Sequence, residues 1–122
     1  MRLFAKNTSI LSGEVDCPGD KSISQRAIII GALANQNISI TGFLNGEDPL
    51  STLSALNQIG ADISINNNEV TINERELTFS NPSNSIDLGN SGTGMRLIMG
   101  LIAGTGLKAT LIGDESLMKR PM

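Results

Sequence analysis

Residues 27–34 read AIIIGALA, apolar at nearly every position, and they follow a polar run, PGDKSISQR, at 18–26. A helix without a polar face is predicted to be enclosed by protein rather than laid on a surface. Asp20 or Ser22 can cap it, and Gln25 stands three residues after Ser22 as in a capping box. The helix is expected to run to about Ala34. Before it, SGEVDC at 12–17 alternates as a short strand that Pro18 and Gly19 end. After it, NISITGF at 37–43 is β-branched and strand-like. In EDPLSTLSALNQIG, at 47–60, Asp48 is the expected cap, Pro49 takes the first helical position and Gly60 stops the helix. Leu50, Leu53, Leu56 and Ile59 give that helix one apolar face. ADISI at 61–65 and EVTI at 69–72, separated by NNN, read as a hairpin.

The order strand, helix, strand, helix, strand, strand then starts again. SIDLGNSGTGMRLIMGLIAG, at 85–104, is a strand, a glycine turn and an apolar helix, and KATLIG at 108–113 is another strand. Gly19 and Gly89, Arg26 and Arg96, and Ile28 and Ile98 each stand 70 positions apart. ITGFLNGEDPL and LIGDESL also correspond, with a deletion. This is an internal repeat. The second copy reaches Met122 before its second helix, so the expectation is an incomplete domain of mixed α/β class.

Composition narrows the chemistry. The chain has 122 residues and is 39% hydrophobic, enough for one domain with a modest core. No run is long and apolar enough to cross a membrane, and MRLFAKNTSI lacks the apolar stretch of a secretory signal. Cys17 is the only cysteine, which excludes an internal disulfide and makes the cytoplasm the expected compartment. Without histidine, the commonest general base and metal ligand is missing, and no metal site is expected. The net charge of −3 and the 2% aromatic content, with no Trp or Tyr, argue against a nucleic-acid partner. Any anion site must be local, built from a few basic groups.

Two glycine turns could supply one. A helix N-terminus carries unpaired N–H groups and partial positive charge, and phosphates and carboxylates bind there readily. Lys21 adds a full charge, Ser22 a hydroxyl, and Arg26, four residues after Ser22 on the same helix face, a planar donor fork. The plainer reading makes Ser22 a cap, Lys21 a solvated cation and Arg26 a surface residue. Against it stands the apolar helix that Arg26 precedes, where a buried arginine would need a partner. The stretch GDKS departs from a Walker loop because Asp20 occupies the glycine place beside the lysine, and GNSGTG is not GxGxxG. In the second turn, Gly92 lets backbone approach a ligand and Asn90 offers donor and acceptor. The alternative there is a tight turn capped by Thr93, with Arg96 in a structural ion pair. Lys119 and Arg120, beside Pro121, are either a third part of a shared anion site or a solvated basic loop.

Four separated stretches, PGDKSISQRA, GFLNGEDPLSTLSALNQIGA, LGNSGTGMRL and IGDESLMKRPM, closely resemble the EPSP synthase (3-phosphoshikimate 1-carboxyvinyltransferase) family in the same order. IGDESLMKRPM is more similar to the glyphosate-tolerant bacterial class than to the enteric type. In the related UDP-N-acetylglucosamine enolpyruvyl transferases an asparagine would follow the lysine, where this chain has Ser22.

The resemblance implies enolpyruvyl transfer from phosphoenolpyruvate to the 5-hydroxyl of shikimate 3-phosphate, through a tetrahedral intermediate and loss of phosphate. It implies no cofactor. It assigns Lys21, Ser22 and Arg26 to shikimate 3-phosphate, and Lys21, Asn90, Gly92 and Arg120 to phosphoenolpyruvate, whose place glyphosate also takes. Asp48 is expected to orient Lys21. The tolerant class carries alanine where this chain has Gly92, which predicts glyphosate sensitivity at that position.

The implied fold is an inverse α/β barrel of βαβαββ units, helices inside and sheets outside, with one complete unit and part of a second in this chain. Residues 1–17 would be a strand segment joining a C-terminal domain, and 18–122 a partial N-terminal domain. The family enzymes are longer and monomeric, so the isolated chain is expected to be inactive, with Lys21 the nearest candidate for a catalytic group. A stand-alone anion-binding or structural module is the alternative from another class.

Overall fold

The structure, a computed structural model, describes residues 3–7, 10, 12–76 and 78–122. Helix α1 spans Lys21–Ala34. Of the two cap candidates, Asp20 does the work: its carboxylate accepts from the Ile23 N–H at 2.7 Å. The capping box does not form, because Gln25 turns inward and is fully buried. Asn35 closes α1 in the left-handed region, φ 50°, and its amide holds the backbone of Arg75 from both sides at 2.9 and 3.1 Å.

Strand β1 (Ile38–Ile40) is followed by helix α2 (Glu47–Gln58) and the strands β2 (Asp62–Asn66) and β3 (Glu69–Asn73). β2 and β3 form the expected antiparallel hairpin, turned by Asn67 at φ 53°. β1 pairs with the other edge of β3, giving the order β1-β3-β2. Val70 and Ile72, on the central strand, face α1 and are buried, while Glu69 and Thr71 alternate outward. In α2 the cap position is Gly46 rather than Asp48. Asp48 lies inside the first turn, where its carboxylate is free to reach a neighbouring helix. Leu53, Leu56 and Ile59 bury the expected face, and Leu50 is half-buried.

The second half is a βαβ unit: β4 (Ile86–Asp87), helix α3 (Gly92–Thr105) and β5 (Leu111–Ile112), with β4 and β5 parallel. Ser91, not Thr93, caps α3, accepting from the Gly94 N–H at 3.1 Å. A one-turn helix α4 (Glu115–Met118) follows, capped by Asp114, and Lys119 and Arg120 lie just past it. The repeat holds at the level of burial. Gly94, Met95, Ile98 and Leu101 line the buried side of α3, and their mates 70 positions earlier, Ser24, Gln25, Ile28 and Gly31, line that of α1.

Two further expectations are not met among the described residues. Residues 12–17 form no strand and are exposed, Val15 at 88%. Alternation alone makes no strand; a partner edge must complete the ladder, and none lies beside these residues among the described ones. The α1 helix is also not enclosed. Ile28, Ile29 and Ala32 are buried against α2, α3 and β3, but Ile23, Ile30 and Leu33 are 60, 64 and 50% exposed. Neighbours cover one side of the helix only.

A Cβ placed on Gly94 would lie 2.6 Å from both Ser91 Oγ and Thr52 Oγ1, whereas one on Gly100 meets nothing within 4 Å. Gly94→Ala is therefore expected to lower stability by about 1–3 kcal/mol despite better helix propensity. Gly100→Ala should raise it by about 0.4–1 kcal/mol. Urea unfolding of both variants checks the opposite signs.

Candidate functional site

The three long helices meet at their N-terminal ends, and one side chain joins them. Gln25, in the second turn of α1, points its Nε2 at the Asp48 carbonyl (3.1 Å) and Thr52 Oγ1 (2.9 Å) of α2 and at Ser91 Oγ (2.7 Å), the cap of α3. Thr52 and Ser91 are both fully buried. The first turns of α1, α2 and α3 thus lie side by side, and their positive ends face one region.

Beside this junction is an open cavity of about 410 Å³ lined by Lys21, Asp48, Asn90, Gly92, Thr93, Arg96, Arg120 and Met122. Lys21, the first residue of α1, pairs with Asp48 across the gap, Nζ to Oδ2 at 2.8 Å. Arg120, just past α4, donates through Nη2 to Asn90 Oδ1 at 3.1 Å and lies 3.3 Å from Ser116 Oγ. Asn90 in turn donates through Nδ2 to the Asp114 carboxylate. That hydrogen bond first, and then the Leu117 N–H, hold the Asp114 carboxyl below the usual carboxylate range. Gly92 leaves room for the guanidinium: a Cβ there would lie 3.0 Å from Arg120 Nη1.

The structure therefore brings Lys21, Asp48, Asn90, Gly92 and Arg120 together from four separate stretches of chain. It does not bring Ser22 and Arg26 into that cavity. Ser22 is half-buried and Arg26 is exposed, so the buried arginine that would have needed a partner is not there. Arg96 was open between anion site and ion pair; its guanidinium lines the cavity and donates to the Pro121 carbonyl at 3.1 Å. Lys119 pairs with Glu115 at 2.6 Å, away from these groups. Sequence pattern alone does not mark Thr93 and Asp114 as site residues. A signal for Asp114 existed, since GDESL carries an aspartate where a helix cap belongs. Among the described residues no cluster of three or more His, Cys, Asp or Glu side chains could hold a metal ion.

A neighbouring groove of about 430 Å³ is larger but lined mainly by Met95, Met99, Ile102, Leu111, Leu117 and Met118. It shares only Arg120 and Met122 with the basic cavity and offers no convergent polar groups, so the chemistry belongs to the smaller one.

Comparison with known proteins agrees along nearly the whole chain. The model of the family described as EPSP synthase (3-phosphoshikimate 1-carboxyvinyltransferase) matches residues 5–122. The 3-phosphoshikimate 1-carboxyvinyltransferase of Ruthia magnifica subsp. Calyptogena magnifica is 49% identical over 122 residues, which is 99% of this chain and 28% of that protein. The protein of that name from Shouchella clausii is 42% identical over 100% of this chain and 29% of its own length. A solved structure of EPSP synthase from Acinetobacter baumannii superposes with a TM-score of 0.82 at 43% identity, covering 90% of this chain and 25% of that one. The chain thus spans little more than a quarter of the length of the curated relatives it matches. With four motifs in order, a common fold and a family match over residues 5–122, this chain belongs to the EPSP synthase (3-phosphoshikimate 1-carboxyvinyltransferase) family.

Proposed function

We propose that this segment forms the anion-binding end of an enolpyruvyl transferase site. Phosphoenolpyruvate occupies the basic cavity, held by Lys21, Asn90, Gly92 and Arg120. Shikimate 3-phosphate binds alongside on Lys21, Ser22 and Arg26. The observation that carries this reading is the convergence of Lys21, Arg96 and Arg120 with the N-terminal turns of α1 and α3 on one small cavity. Phosphoenolpyruvate is a small polyanion, and this is the part of the molecule with the charge and the size for it. Ser22 and Arg26 lie one helical turn apart on α1, whose first residue, Lys21, lines the cavity, which suits two anions placed side by side.

The reaction is transfer of the enolpyruvyl group to the 5-hydroxyl of shikimate 3-phosphate, with release of phosphate. The fixed cations stabilise negative charge as it gathers on the departing phosphate. Asp48 holds Lys21 in place between the two substrates. The residues assigned here bind and orient, while proton transfer needs a placed acid and base, for which Lys21 is the nearest candidate among the described residues. Glyphosate competes for the phosphoenolpyruvate place. The protein acts in the cytoplasm, as a monomer.

Phosphate release from phosphoenolpyruvate and shikimate 3-phosphate tests the reading, in the 122-residue chain and in a longer polypeptide that carries it. Release is expected from the longer polypeptide only. Its absence there overturns the assignment, and turnover by the short chain overturns the division of labour.

In the active polypeptide, Arg26→Ala is expected to weaken shikimate 3-phosphate and Arg120→Ala phosphoenolpyruvate, each by about 1.5–3 kcal/mol. Isothermal titration of each ligand against each variant reads this out, and an unchanged shikimate 3-phosphate affinity in Arg26→Ala removes that residue from the site.

Gly92→Ala should have two effects. The methyl group takes space at the cavity wall, which the longer glyphosate needs more than phosphoenolpyruvate does. It also crowds the Arg120 guanidinium, 3.0 Å from where the Cβ would stand, so phosphoenolpyruvate weakens as well, though less. Glyphosate inhibition at varied phosphoenolpyruvate, for both versions, measures the two together. Equal inhibition at unchanged phosphoenolpyruvate affinity would place Gly92 outside the pocket.

A further inference from the structure

We infer that Asp114 is a positioning residue for the basic cavity: its carboxylate sets the direction of the Asn90 amide, and the amide in turn aims Arg120. This rests on the reading of the cavity as a phosphoenolpyruvate site, but the geometry stands apart from it. A carboxylate only accepts hydrogen bonds and a guanidinium only donates them. The Asn90 side chain lies between the two, with Nδ2 on Asp114 and Oδ1 on Arg120 at 3.1 Å. Only one of its two amide orientations satisfies both neighbours. Asp114 chooses that orientation, and Arg120 receives an acceptor at a fixed place as a result.

Asp114 is itself held at several points. Its Oδ1 accepts from the Leu117 N–H at 2.7 Å, its backbone N–H donates to the Gly89 carbonyl at 2.8 Å, and its carbonyl accepts from the Met118 N–H at 3.0 Å. The residue therefore ties the second glycine turn to α4, the helix from whose end Arg120 departs. Its carboxyl is held below the ordinary range, chiefly by Asn90, so it is anionic at neutral pH. Oδ1 serves the helix cap and Oδ2 serves Asn90, so the two roles reside on different atoms.

That division allows a test. Asp114→Asn keeps an oxygen for the cap, where asparagine serves as well as aspartate. It puts an NH₂ opposite the Asn90 NH₂, and Asn90 must turn over or move away, which confronts Arg120 with a donor. The measurement uses the polypeptide active in the phosphate-release assay, with asparagine and arginine labelled with ¹⁵N. The expected result is a thermal midpoint close to the parent's, shifted Asn90 side-chain amide and Arg120 Nε–H resonances, and phosphoenolpyruvate bound about tenfold more weakly. Should Asp114→Asn fold poorly, Asp114→Ser keeps a cap oxygen and removes Oδ2, and the same resonances must move. If both sets of resonances stay where they are in the parent, Asp114 is a helix cap and nothing more, and the inference is overturned. If the resonances move and phosphoenolpyruvate affinity does not, Asp114 positions Arg120 as inferred, and it is the substrate assignment of the cavity that fails.

Discussion

Three helices meeting side by side at their N-termini bring like partial charges together, and something must hold them there. Here it is the amide of Gln25, whose Nε2 lies within 3.1 Å of acceptors on α2 and at the cap of α3. The junction is buried, so each lost hydrogen bond would leave a polar group without water to replace its partner. Acidic groups ease the electrostatic load: Asp20 at the cap of α1, and Glu47 and Asp48 in the first turn of α2. The cavity, its cations and the approach of Gly94 to Ser91 and Thr52 all depend on this junction. The arrangement is not free of cost, since Gln25 Oε1 is buried without a hydrogen-bond partner.

Much of the frame could be read along the chain, because it is written locally. The hairpin shows in alternating Ile and Val around NNN, the long helices in their apolar spacing, and the repeat in residues 70 positions apart. The errors lie where a distant neighbour decides. Ser22 and Gln25 match a capping box, yet Gln25 is taken by α2 and α3, and Asp20 becomes the cap. Residues 12–17 alternate like a strand but have no ladder to join among the described residues. AIIIGALA looks enclosed, but enclosure depends on what surrounds the helix, and α2, α3 and β3 cover only one side.

The candidate site was legible in part for the same reason. Charged and glycine-rich turns betray their chemistry by residue type, which is how Lys21, Asn90, Gly92 and Arg120 stand out. The Lys21–Asp48 pair joins residues far apart in sequence, and residue types alone suggest it. Asp114 stays hidden, because its importance comes from the relay through Asn90, and a relay is a matter of geometry. Arg26 reads differently in space than in sequence. What looked like a charge facing burial is an exposed cation near a helix start.

Met95 is the repeat mate of Gln25, and it is buried at the same place on its own helix. The two units thus share a frame and differ at the position where the frame could become polar. Methionine makes the second location a wall of an apolar groove, while glutamine makes the first a point of attachment for two other helices. The difference breaks the pseudo-symmetry of the doubled fold at the junction. A repeated scaffold therefore need not repeat its junction: equivalent backbones can carry one polar joint between them, while both copies supply groups to the cavity beside it.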